Sequence, residues 1–184
     1  MGASCGPHAF RLLGGLALCL ALLRPGGPAL ASEALPLAVF DFELIDSSLE
    51  GEMRGERADE QARLGMISDL LRQMLADSGR YRILDLTPVK AEIAAAGYLH
   101  GCNGCNGCNG CDARIAGGLG AERAVTGTVQ KVSNLILNIN LYEREVASGK
   151  LLRAMSVDIR GNTDRSWSRG VSYLVRNRFL KGAK

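Results

Sequence analysis

Leu37-Ala38-Val39-Phe40-Asp41-Phe42 is apolar at five of its six positions. A run so nearly continuous does not suit a strand with one wet face. It predicts a central strand covered on both sides, and helices must supply the cover. Roughly Arg57 to Ser78 provides one helix. Leu64, Ile67, Leu71, Met74 and Leu75 recur there at helical spacing, Asp59 and Glu60 sit in the first turn, and Gly79 gives a stop. Tyr81 to Leu86 predicts a second strand, and Thr87-Pro88 opens a short helix, Pro88 to Ala96, ended by Gly97. This strand–helix–strand–helix order predicts parallel pairing with a right-handed crossover. Ser47 to Gly55, between the first strand and the first helix, reads as a polar loop punctuated by glycine.

The second half changes character. Asp112 is expected to cap a short helix through Leu119, closed by Gly120. Ala124 to Val132, Leu135 to Glu143 and Lys150 to Arg160 then predict three successive strands, the last two joined by a hairpin turn at Ala147-Ser148-Gly149-Lys150. In the middle strand Leu135, Leu137, Ile139 and Leu141 alternate with Ile136, Asn138, Asn140 and Tyr142, so one face is buried and the other largely wet. A final helix, about Asp164 to Leu180, places Trp167, Val171, Leu174 and Val175 on one face and Arg165, Arg169, Arg176 and Arg178 mostly off it. The expected fold class is α/β, a single two-layer or three-layer sandwich with a mixed sheet of about five strands and helices packed on it.

The first thirty-one residues do not belong to that domain. Arg11 precedes the apolar run Leu12 to Leu23, Pro25-Gly26-Gly27-Pro28 breaks it, and Ala29-Leu30-Ala31 offers small residues for cleavage. This is the pattern of a Sec-type secretory signal peptide, residues 1–31, cut after Ala31. The run is short of the ~20 residues a membrane span needs, Leu18 before Cys19 spoils a lipidation site, and no Arg-Arg pair precedes the run. The expected product is a periplasmic domain of residues 32–184, without stable membrane insertion. Loss of Arg11 and Arg24 lowers the formal charge from +3 to +1. Charges of both signs are interspersed without an aromatic stacking series, so nucleic acid is not an expected partner.

The first strand, the helix end Leu70 to Gly79 and Arg80 to Leu86 resemble the opening of the TolB amino-terminal type of domain. Leu119 to Val129 is similar to that group's helix, Gly-Ala-Asp, strand segment, and Leu141 to Leu151 resembles its meander. Phe40 to Asp46 and Asp158 to Asp164 resemble still more a bacterial domain-of-unknown-function family of exported single-domain proteins. The wider group, which includes curli-secretion, flagellar-outer-membrane and penicillin-binding-protein-activator lipoproteins, works by binding other envelope proteins. The resemblance therefore implies interaction rather than catalysis, although those relatives are often lipid-anchored and this chain lacks the lipidation site.

Reactive chemistry concentrates in the loop 101–111, where Cys102, Cys105, Cys108 and Cys111 are separated by Asn-Gly pairs. Neighbouring cysteines can bridge, glycine permits the tight turns, and an oxidising compartment favours disulfides. Four thiolates could instead hold Zn²⁺ tetrahedrally, which makes these four the candidate metal ligands. The third reading is a tandem duplication in a tolerant surface loop. Haem attachment would need a histidine after the second cysteine of a pair, and the sole histidine of the mature chain, His100, lies on the wrong side.

Other candidates are sparser. Asp41, Glu43 and Asp46 cluster near the carboxyl end of the first strand, where open α/β sheets place ligand sites, and Asp41 and Glu43 are expected on one face. The alternative is a solvated strand end. Ser47-Ser48 has no nucleophile elbow, and Gly117-Gly118-Leu119-Gly120 lacks the Gly-Lys-Ser/Thr ending of a phosphate loop. Trp167 reads as a core anchor. The expected function is a periplasmic, non-enzymatic module that binds another envelope protein, by a sheet edge or by the Ser47–Gly55 loop; a thiol-based metal or redox protein centred on the cysteines is the alternative. No resident cofactor is expected beyond possible zinc, and the sequence leaves the oligomeric state open.

Overall fold

A computed structural model describes residues 33–99 and 110–182. The apolar run lies inside β1 (Leu35–Asp46), which pairs in parallel with β2 (Tyr81–Ile83) on one side and β3 (Arg123–Lys131) on the other. β4 (Ile136–Glu145) and β5 (Leu151–Arg160) extend the sheet antiparallel, in the order β2-β1-β3-β4-β5. This is the mixed five-strand α/β fold expected.

Two apolar clusters account for the layering. Leu37 and Val39 of β1 pack with Leu64, Ile67, Leu71 and Leu75 of α2 (Ala58–Asp77), and with Trp167, Val171 and Leu174 of α5 (Asp164–Leu174). Ala38 and Phe40, the alternate residues of β1, pack instead with α3 (Lys90–Ala96) and α4 (Cys111–Gly117). Successive strand residues face opposite ways, so α2 and α5 cover one face while α3 and α4 cover the other.

A β-bulge interrupts this alternation. Val39 pairs with Val125 but Phe42 with Gly127, so β1 carries one extra residue there. Phe42 thereby returns to the α2 side, where its amide donates to the buried Ser68 hydroxyl at 2.9 Å. Gly127 is required opposite, because a Cβ there would collide with the Phe42 ring. The bulge also disturbs the ladder, and the Arg72 guanidinium of α2 donates to the Val39 carbonyl at 3.0 and 3.2 Å.

Several boundaries differ from expectation for identifiable reasons. The Ser47–Gly55 loop contains α1 (Leu49–Arg54), a helix made by its caps rather than its apolar content: the Ser48 hydroxyl accepts from Gly51, and Gly55 closes it at φ 72°. The second strand stops at Ile83, and Thr87–Val89 forms a 3₁₀ turn into α3. Asp112 does not cap α4; Gly110 does, and Asp112 pairs with Arg144 at 3.1 Å. Leu135 is 72% exposed in the turn before β4. α5 ends at Leu174 and continues as a π turn, Val175–Phe179. Trp167 is fully buried, as expected of a core anchor.

Candidate functional site

The carboxyl ends of β1 and β3 meet at the register pair Asp46 and Lys131, the point where the chain order switches sides about β1. In open α/β sheets this is where a ligand crevice forms. Here a side chain fills it. Lys131 has no solvent exposure, and its Nζ donates to Glu60 Oε1 at 2.7 Å, Asp46 Oδ2 at 3.1 Å and Glu50 Oε2 at 3.3 Å. Three carboxylates from β1, α1 and α2 converge on one cation, and that cation belongs to the chain. Glu60 is equally buried; Asn162 donates to its Oε1 at 2.5 Å, while Oε2 has no hydrogen-bond partner.

Asparagines extend the cluster sideways. Asn134, in the β3–β4 turn, donates to Glu50 Oε2 at 2.8 Å, and Asn162 donates to Asn134 Oδ1 at 3.1 Å. Asn162 Oδ1 also accepts from the Trp167 indole at 3.0 Å, which ties the site to the core. Asp46 further accepts from the Ser48 amide and hydroxyl at 2.9 and 2.6 Å. Burial acts to raise the Asp46 pKa, but the Ser48 bonds and Lys131 outweigh it and hold the carboxyl below its ordinary value. Glu50 is also held low, first by Asn134 and then by Lys131. Burial works against the Lys131 charge, yet the carboxylates raise its pKa overall.

The sequence-level acidic trio does not assemble. Asp41 pairs with Arg72 at 2.5 Å on the α2 side. Glu43 Oε1 accepts from the Leu99 amide at 2.5 Å, at the end of the segment following α3. Asp46 alone joins the Lys131 cluster. The bulge separates Asp41 from Glu43 by inserting the extra residue between Val39 and Phe42. Ser47 donates through Oγ to the Lys131 carbonyl at 3.1 Å, and Ser48 is a helix cap, so neither is poised as a nucleophile. The residues that sequence reasoning missed are Lys131, Glu60, Glu50, Asn134 and Asn162. A lysine closing an apolar strand, and Asn162 at the β5–α5 turn, were the available signals.

One cleft borders the cluster and another lies further back along β1. One, of about 390 Å³, is lined by residues that include Phe42, Glu43, Asp46, Gly51, Gln61 and Tyr98. The other, of about 570 Å³, lies near Asp41, Arg72, Leu84, Leu86, Lys90 and Ile93. Gly51 faces the Asp46 carboxylate so closely that a Cβ would lie 2.5 Å from it, so α1 is held tight against β1. Above the cluster the surface turns apolar: Leu49 and Met53 of α1 are 70% and 76% exposed, and Val132, Leu135 and Ile136 of the β3–β4 turn are 52%, 72% and 52% exposed. The Glu50–Asn134 bond joins these two segments.

Cys102, Cys105 and Cys108 lie outside the described residues. Cys111 opens α4, is buried and is disulfide-bonded. Among the described residues no group of three or more side chains is arranged to hold a metal ion, and no helix is long and apolar enough to cross a membrane.

Residues 36–179 match the model of the family DUF3280, described as "Protein of unknown function (DUF2380)". No curated protein sequence matches the chain. Among solved structures the chain is similar to the LpoB C-terminal domain from Salmonella enterica, with 13% identity over 70% of this chain and 83% of that one and a TM-score of 0.46. It is similar to lipoprotein GNA1162 from Neisseria meningitidis, with 16% identity over 82% and 98% of the two chains and a TM-score of 0.46. TolB from Acinetobacter baumannii shares 13% identity over 81% of this chain and 29% of its own, with a TM-score of 0.44.

Proposed function

The chain belongs to the DUF3280 family, and we propose that it acts as a non-enzymatic module of the periplasm that binds another envelope protein through the carboxyl end of its sheet. The leader, residues 1–31, is cut after Ala31, and residues 32–184 form the working domain. One observation carries the docking site: Leu49, Met53, Val132, Leu135 and Ile136 are held outward on segments cross-linked by Glu50, Asn134 and Lys131. Apolar side chains grouped on a rigid base favour an interface, because binding then orders little that was free. The carboxylates beneath are engaged with amides, hydroxyls, Arg72 and Lys131, which suits anchoring better than proton transfer.

A photo-crosslinking residue at Met53 or Leu135, in cells expressing the protein, should capture the same envelope protein. The same probe at Arg82 of β2 should not. Leu49→Asp with Met53→Asp should weaken capture about tenfold, the loss expected from removing an apolar anchor pair. Equal crosslinking from Arg82, or none from either apolar segment, removes this reading.

The cysteines are read as oxidised, which the disulfide at Cys111 supports. A zinc site at Cys102, Cys105, Cys108 and Cys111 needs the Cys111 sulfur as a free thiolate. Thiol counting and metal analysis on periplasmic protein should give no free thiol and no zinc. One zinc per chain with titratable thiols would restore the metal alternative.

A further inference from the structure

We propose that the outer edge of β5, with the basic flank of α5 beside it, binds an extended acidic segment of a partner protein as a sixth strand. Residues 160–184 carry five arginines, two lysines and one aspartate, a formal +6 in a chain whose total is +3, leaving −3 for the 159 residues before them. Asp164 does not offset this charge, because it pairs with Arg63 at 2.7 Å. Arg160, Arg165, Arg169, Arg176 and Arg178 are exposed, and none makes an ion pair or a side-chain hydrogen bond among the described residues. By contrast Arg63, Arg72, Arg144 and Arg153 each hold a carboxylate within the domain. Five unpaired arginines therefore fall within nineteen residues of one another, against single unpaired cations such as Arg82, Lys90 and Lys150 elsewhere among the described residues.

The arrangement is linear. Arg165, Arg169 and Tyr173 follow at four-residue steps along α5, and Arg176 comes three residues later, so they form one stripe. Tyr173 stands 44% exposed within it. Arg169 and Tyr173 of the stripe stand beside β5, a ten-residue strand at the end of the sheet with no neighbour on its outer side among the described residues. Between them runs a groove of about 270 Å³ whose lining includes Val157, Asp158, Arg160, Arg169, Gly170 and Tyr173. Gly170 brings the helix close, since a Cβ there would lie 2.8 Å from Ile139 and Ile159. Edge strands in natural sheets are commonly blocked by proline, bulges or a covering loop. β5 contains no proline, and its pairing irregularity lies at the Glu143/Arg144 end, away from the groove.

An added strand completes the ladder through its main chain and presents alternate side chains to each face. Those on the α5 side meet Arg169 and Tyr173, which line the groove, with Arg165 and Arg176 next along the same stripe. Acidic residues there find cations with no internal partner to displace, which is why the occupant is acidic. This surface is separate from the apolar end of the sheet, so it stands if the docking site proposed above proves inert.

The test uses the mature protein and two blocked decapeptides of equal charge, alternating Glu-Thr and alternating Glu-Pro. Proline cannot donate to a ladder, so only the first can add a strand. Fluorescence anisotropy should show Glu-Thr binding at least tenfold tighter than Glu-Pro, with hydrogen-exchange protection gained in β5. Arg165→Gln with Arg169→Gln and Arg176→Gln, all exposed substitutions expected to leave the fold intact by circular dichroism, should weaken it about tenfold, as should raising salt from about 0.05 to about 0.3 M. Equal binding of both peptides overturns strand addition, and unchanged binding by the triple variant overturns the basic flank. Failure of Glu-Thr to bind while vesicles of 30% phosphatidylglycerol capture the protein would give the flank to a lipid surface instead.

Discussion

Lys131 carries its charge without solvent exposure, which is tolerable because three carboxylates meet its Nζ. Removing it strands Glu60 as a buried anion whose Oε2 already has no partner. Lys131→Met should therefore lower unfolding stability by about 3–5 kcal/mol in urea titration. Adding Glu60→Gln should return part of the loss, since an amide costs less to bury alone than a carboxylate. Equal stability of the single variant and the parent would show that the cluster contributes nothing net. The same groups set the pH limits. Asp46 and Glu50 titrate below their ordinary values of 3.8 and 4.5, so their contribution is complete above those values and drains away as pH falls through the lower folded ones. Lys131 titrates above 10.5, so its contribution is complete below 10.5 and is lost as pH rises past its raised value. Stability from this cluster should be flat across neutral pH and fall at both ends. Lys131→Met should move the acid limb toward neutrality, because Asp46 and Glu50 lose a cation that lowers them.

At the scale of elements, α1 exists because of its ends. Ser48 caps it, Glu50 and Glu52 favour its first turn, and no residue in it is buried. Ser48→Ala should cost about 1 kcal/mol, with hydrogen exchange quickening in α1 before it does in β3 or α2. Uniform quickening would mean that α1 unfolds only with the whole domain. β1 is fixed by the opposite means, internal packing: Gly127→Ala should destabilise by about 1–3 kcal/mol through collision with Phe42, and Phe42→Leu in the same chain should relieve it. These contrasts explain what the sequence disclosed. The apolar periodicities of α2, β4 and α5 announced themselves because burial repeats along each element. α1, the bulge at Val39–Phe42 and the π turn after Leu174 were not visible, since each depends on one or two residues meeting partners far along the chain. The site suffered most. Asp41, Glu43 and Asp46 looked like one group by spacing, and the bulge sent them to three partners. Lys131 and Asn162, 31 positions apart, meet at Glu60 only through the fold.

The domain opens on an inner strand of its sheet, covered by helices on both faces. β1 begins at Leu35, four residues beyond Ala31, and both β2 and β3 pair with it. If the leader directs export as proposed above, a sheet built outward from that strand closes after the leader has left the translocation channel, and folding follows export. Among the described residues the apolar clusters include one cysteine, Cys111, at the edge of the α3–α4 face, while the cluster under α2 and α5 is built from aliphatic and aromatic side chains. A bridge within the run Cys102–Cys111 closes a short loop and stabilises the fold by about 2–3 kcal/mol or less on chain-entropy grounds. Mass spectrometry of the native protein should find Ser32 at the amino terminus and a mass four hydrogens below that of the reduced chain, with no metal adduct. Reduction should add those hydrogens and lower the melting temperature by no more than about 10–15 °C, leaving the far-ultraviolet circular dichroism of the folded state unchanged. Unfolding at room temperature on reduction would make the cysteine segment the brace of the α3–α4 face, and an intact Met1 terminus would take away the export on which the order of folding rests.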